Sequence, residues 1–101
     1  MKRILCFGDS NTWGYTLMTG MTGERYSHEV RWPMQLQKKL GKEFWIIEEG
    51  LNGRTTVLQD PIEPYRCGID YLLPCLMTHK PIDMIIIMLG TNDTKQRFSL
   101  S

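Results

Sequence analysis

Met84-Ile85-Ile86-Ile87-Met88-Leu89 is six apolar residues without a break, running into Gly90-Thr91-Asn92-Asp93. A run this short, rich in isoleucine and closed by glycine, reads as a strand. Because it is continuous and not alternating, the strand is predicted to be covered on both faces, as in a parallel sheet. Arg3-Ile4-Leu5-Cys6-Phe7 is a second run of the same kind, closed by Gly8 and followed by Asp9-Ser10-Asn11. In an open parallel sheet, ligands gather at the carboxyl ends of the strands. Two such strands side by side put Ser10 and Asn92 on one rim. A hydroxyl nucleophile and an amide donor on one rim are two parts of an acyl-transfer site. Asp, Ser, Asn and Thr also form turns and caps well, so Asp9 to Thr12 would serve equally as the joint leaving a strand.

Between these strands the chain supplies the other layers. Asn11 to Arg31 is polar, carries Gly14, Gly20 and Gly23, and shows no periodicity. It reads as a long loop with a short helical turn, a length that usually goes with function or disorder. Trp13 and Tyr15 would form a wall of a pocket beside Ser10 or cap the core beneath the loop. Pro33 to Gly41 has helix signals at both ends: proline first, lysines in the last turn, glycine after it. Leu36 and Leu40 share one face. Phe44-Trp45-Ile46-Ile47 is a strand that Glu48, Glu49 and Gly50 are expected to end. Strand, helix, strand with short joints makes a right-handed βαβ unit. Val57 to Arg66 is broken by Pro61 and Pro64 and reads as a surface loop. Cys67 to His79 is a second helix with Ile69, Leu72, Leu73, Leu76 and Met77 at helical spacing. Pro74 either kinks it or marks its true start.

Gly8-Asp9-Ser10-Asn11, the stretch Glu49 to Thr56 containing Gly53, and Gly90-Thr91-Asn92-Asp93 resemble, in order and spacing, three of the four blocks of the GDSL, or SGNH, hydrolases. The similarity is nearest to the bacterial arylesterase and acyltransferase branch, covers essentially the whole chain, and extends over about the first half of a typical family domain. It implies a flavodoxin-like three-layer α/β/α fold with a parallel sheet ordered two-one-three-four-five. The first three strands would be present here. Residues 1–101 would be the N-terminal part of one domain. The resemblance implies Ser10 as nucleophile, with its own N–H, the N–H of Gly53 and the Asn92 amide as oxyanion donors. Asp9, Asn11, Thr55, Thr91 and Asp93 would support them, and Trp13 would border the substrate. The implied reaction is hydrolysis of short acyl or aryl esters through an acyl-serine, with transfer to another nucleophile as a variant. A serine needs a histidine base oriented by an acid. The family's Asp-x-x-His block is absent from this sequence. The third strand would then be an open apolar edge, which folded proteins avoid. The expected partners are a small ester and either an oligomer or a C-terminal segment covering that edge.

Other classes are bounded by composition. With 101 residues the chain is one domain at most. Its 12 basic and 11 acidic residues nearly balance and form no basic run, so no nucleic-acid partner is expected. No apolar stretch reaches the length of a membrane span or of a signal-peptide core, which makes the cytoplasm the default location. Cys6, Cys67 and Cys75 form no metal-spaced pair, and His28 and His79 lack the close Cys, His or carboxylate partners that metal sites use, so no metal is expected. No cofactor is expected either. His79 is predicted to cap its helix or lie on the surface, at the end of the sheet away from the strand tips. His28, in the loop after Ser10, could approach the site. Two rivals to the hydrolase remain: a flavin-binding module using the hydroxyl-rich loop after Ser10, and a folded but non-catalytic assembly piece.

Overall fold

The computed structural model describes residues 1–16 and 24–98. Part of the long loop expected after Ser10, including Gly20 and Gly23, lies outside the described residues. The elements run β1 (Lys2–Gly8), α1 (Ser10–Trp13), α2 (Trp32–Leu40), β2 (Phe44–Gly50), α3 (Gly68–His79) and β3 (Met84–Met88). Two 3₁₀ turns, Thr91–Thr94 and Gln96–Phe98, follow. The three strands form one parallel sheet in the order β2-β1-β3.

Alternation along β1 sorts its side chains between two helices. Ile4 and Cys6 face α2 and pack with Ile46, Leu36 and Leu40. Leu5 and Phe7 face the other way and pack with Ile47, Cys75, Leu72 and Leu76. The sheet is therefore the middle of three layers, and β1 is buried on both faces. Burying side chains such as Leu5 and Phe7 stabilises the fold by about 1.5–3 kcal/mol each. That desolvation also pushes the Cys6 thiol up to about 11, with the Glu48 charge adding to it.

Three expectations need correction. Glu48, Glu49 and Gly50 do not end β2; they continue it, paired in register with Cys6, Phe7 and Gly8. The glutamates are tolerated because each has a cationic or imidazole partner: Arg31 Nε lies 3.0 Å from Glu48 and His79 Nε2 lies 2.6 Å from Glu49. Of the two readings of Pro74, the one that starts the helix there is overturned: α3 runs from Gly68 to His79 and passes through Pro74. Packing of Leu72 and Leu76 on the sheet outweighs the one backbone hydrogen bond that proline removes. Finally, β3 is not covered on both faces. Met84, Ile87 and Met88 are about half exposed, and so are Ile69, Leu73 and Met77 on α3. Only part of the apolar stripe predicted for that helix meets the sheet. Among the described residues no helix is long and apolar enough to cross a membrane.

Candidate active site

The site is built where β1 and β2 end together. Gly8 and Gly50 are register partners. A Cβ on Gly8 would overlap Thr12 Oγ1, and one on Gly50 would overlap the backbone of Trp13. The two bare positions let α1 lie directly across the strand tips. Helix α1 is short and held by its ends. The Asp9 carboxylate accepts from Asn11 N–H at 3.1 Å, and Gly14 closes the helix at φ 98°. Thr12 is fully buried and accepts from Trp32 Nε1 at 3.2 Å. Ser10 is the first residue of α1, so its N–H has no acceptor within the helix. Its side chain is half-buried.

Beyond Gly50 the chain makes a tight turn. Leu51 N–H donates to Gly8 O at 3.1 Å, and Arg54 N–H donates to Leu51 O at 3.1 Å. Gly53 lies inside this turn at φ 81°, a left-handed conformation that suits glycine. Arg54 is only 3% exposed. Its Nη1 donates to Gly8 O at 3.1 Å and to Glu49 O at 2.7 Å. Its guanidinium lies 4.1 Å from the Phe7 ring centre and 5.2 Å from that of Tyr71. Burial lowers its pKa, with Glu49 opposing the shift. Nothing local in the sequence marks Arg54, because it reads as one more surface cation.

The third block joins the second through side chains. Gly90, at φ 127°, turns the chain out of β3 into the first 3₁₀ turn. Asn92 Nδ2 donates to Arg54 O at 3.1 Å. An amide nitrogen carries two hydrogens, so one fixes the group and the other stays available. The Asp93 carboxylate accepts from both the N–H and the hydroxyl of Thr56, the N–H bond being 3.0 Å. Thr55 is buried, and its hydroxyl donates to Leu58 O at 2.6 Å. Thr91 and Asn11 are exposed. Ser10, Gly53 and Asn92 thus sit on segments tied to one another at the strand tips. Asp9 and Asp93 hold the backbone on either side.

Trp13 is half-buried, with the Arg25 guanidinium 4.9 Å from its ring centre and Arg25 Nε donating to its carbonyl at 2.6 Å. A cavity of about 740 Å³ lies on the α3 side of the turn, lined by Gly50, Leu51, Arg54, Tyr65 and Tyr71 but not by Trp13.

The two histidines separate. His28 is exposed. His79 is neither a plain cap nor a surface residue, since its Nε2 is hydrogen-bonded to Glu49 and its side chain is 26% exposed. The expected lack of ligand-type partners is corrected at His79: Glu49, Cys75 and His79 bring donor atoms within 4.8 Å of one another. The spacing of Cys75 and His79, four apart on one helix face, was the available signal. The Cys75 thiol is pushed up to about 11 by burial and by Glu49. Among the described residues neither histidine is hydrogen-bonded to Ser10.

The chain is similar to known proteins along nearly its whole length. An aryl esterase from M. smegmatis is 52% identical and superposes with a TM-score of 0.94, covering 100% of this chain and 47% of its own. A carbohydrate acetylesterase from Sinorhizobium meliloti is 45% identical with a TM-score of 0.94, again covering 100% of this chain and 47% of its own. An acetylxylan esterase from Xylanibacter ruminicola is 31% identical over 93 residues, which is 92% of this chain and 17% of that protein. The chain therefore spans about half the length of these solved structures and a smaller share of the curated relative. The sequence pattern of the GDSL-like lipase/acylhydrolase family matches residues 6–101. A match of that extent makes this chain a member of the GDSL-like lipase/acylhydrolase family.

Proposed function

We propose that this chain is the nucleophile-bearing part of a serine ester hydrolase acting on short acyl esters of aryl or sugar alcohols. The observation that supports the reading is the linkage of the segments bearing Ser10, Gly53 and Asn92, with Leu51 N–H bonded to Gly8 O and the Asn92 amide bonded to Arg54 O. Ser10 Oγ attacks the ester carbonyl carbon and gives its proton to a histidine. The carbonyl oxygen takes the negative charge and is met by the N–H groups of Ser10 and Gly53 and the Asn92 amide. Collapse expels the alcohol, which takes the proton, and leaves an acyl-serine. Water attacks next in hydrolysis, or a second alcohol in acyl transfer. The loss of one oxyanion donor in such a site costs about 10²–10³ in rate.

The base is proposed to come from an Asp-x-x-His segment in a C-terminal part of the same domain. That part would also cover β3 and the exposed stripe Ile69, Leu73 and Met77, in keeping with relatives about twice as long. A cytoplasmic location belongs to this proposal and is checked by cell fractionation. The competing reading is a folded but inactive assembly piece. It draws on the lack of a hydrogen bond between Ser10 and either histidine among the described residues.

The test is hydrolysis of an activated short-chain aryl ester by the 101-residue chain, with Ser10→Ala beside it and the C-terminal half supplied in a second arm. Turnover in either arm that disappears in Ser10→Ala supports the hydrolase. Silence in both arms favours the assembly piece.

A further inference from the structure

We propose that Arg54 is the positioning residue of the oxyanion site, setting the distance between its donors by gripping the carbonyl that precedes the nucleophile. The proposal rests on the hydrolase reading above. Gly8 O stands two residues before Ser10 and receives two hydrogen bonds from the turn that carries Gly53. One is from Leu51 N–H at 3.1 Å and the other from Arg54 Nη1 at 3.1 Å. Both ends of the turn are thus pinned to the strand that delivers Ser10. The same Nη1 donates to Glu49 O at 2.7 Å, so the tip of β2 joins the grip. From its backbone, Arg54 also holds the third donor, because its carbonyl accepts from Asn92 Nδ2 at 3.1 Å. Ser10, Gly53 and Asn92 are therefore each linked to this one residue within two positions of chain.

A guanidinium suits the task where an ammonium does not. It is planar and always charged, and it stacks on aromatic faces. Here its carbon lies 4.1 Å from the Phe7 ring centre, with Tyr71 at 5.2 Å. Lysine would keep the charge but lose the stacking that sets the height of the group above the sheet. A shift of about 1 Å in a reacting group can cost ~10²-fold in rate.

Two variants, Arg54→Lys and Arg54→Gln, test this. Their kinetics are measured on the aryl ester with the chain alone or with the C-terminal half, whichever form turns over. The side-chain amide of Asn92 is followed by NMR in the 101-residue chain. The expected result is a kcat lower by about 10–100-fold with KM nearly unchanged, together with loss of the hydrogen-bonded Asn92 amide signal. Lysine is expected to retain more activity than glutamine. Wild-type kcat in a folded variant, or a loss confined to KM, overturns the proposal. Failure of both variants to fold also overturns it, because Arg54 would then serve folding and not the placement of donors. An inactive wild-type chain in every arm removes the hydrolase reading instead, and the Asn92 signal still decides whether Arg54 orients that amide.

Discussion

β1 and β3 are both short apolar strands, hydrogen-bonded to each other in parallel from Ile4 beside Met84 to Gly8 beside Met88. In β1, Leu5, Cys6 and Phe7 are no more than 1% exposed, whereas Met84, Ile85, Ile87 and Met88 in β3 are exposed by 37% to 55%. The difference lies in the neighbours and not in the residues. Among the described residues, β1 has a strand on each edge and a helix on each face, while β3 has a strand on one edge. An apolar run records the surroundings a strand is built for. Where the run and the burial disagree, as in β3, the missing cover becomes a prediction. The shallow grooves along this edge, lined by Leu76, Ile82 and Ile85 and by Phe7, Leu72 and Ile87, point to the same surface.

The comparison breaks most sharply in the central strand. Leu5→Ala is expected to destabilise the chain by about 2–5 kcal/mol, read from urea unfolding. A loss below about 1 kcal/mol, the common range for surface changes, would show that β1 is no better packed than the edge. The second expectation concerns pH. The Cys6 thiol, ordinarily 9.0, is held near 11 by burial in the folded chain. The unfolded chain therefore ionises first, and stability is full below pH 9 and falls as pH rises toward 11, by an amount on the order of 2 kcal/mol. Cys75 is raised in the same direction. Urea unfolding at pH 8 and at pH 10.5 measures the drop, and Cys6→Ala should remove its own share, about 2 kcal/mol, and leave that of Cys75. An equal drop in that variant would assign the effect elsewhere. The smallest effect is expected at the edge. Ile87→Ala should cost under about 1 kcal/mol in the 101-residue chain and about 2 kcal/mol or more once the C-terminal half is bound. No change between the two conditions would exclude β3 as the covered surface.

Much of the frame was legible from local signals. Pro33 and Gly41 bracket α2 to within a residue, since cap chemistry acts over one turn. Gly8 at the end of β1 and Gly90 after β3 marked the strand tips that bear Ser10 and Asn92. Gly53 was also legible, but chiefly through the spacing of the blocks; the structure adds a conformational reason, its positive φ. Less legible were features whose partners are far away in sequence. Two glutamates looked like a strand end because their partners, Arg31 and His79, come from other elements. Pro74 left open whether the helix passes through it or starts there, because the apolar contacts that carry α3 past it come from the sheet. Arg54 went unnoticed because its acceptors, Gly8 O and Glu49 O, are set by the β1–β2 register.

The amino-acid sequence by itself determined the kinds and order of the main elements, the three blocks, and the residues that turn the chain at each strand tip. These follow from φ/ψ preferences and apolar spacing, which act over a few residues. Only the tertiary structure decided that Gly8 and Gly50 form a paired seat for α1, that Arg54 is buried across the strand ends, and that β3 is left open. Each of these depends on which strands lie side by side, because burial and hydrogen bonding are settled by neighbours in space.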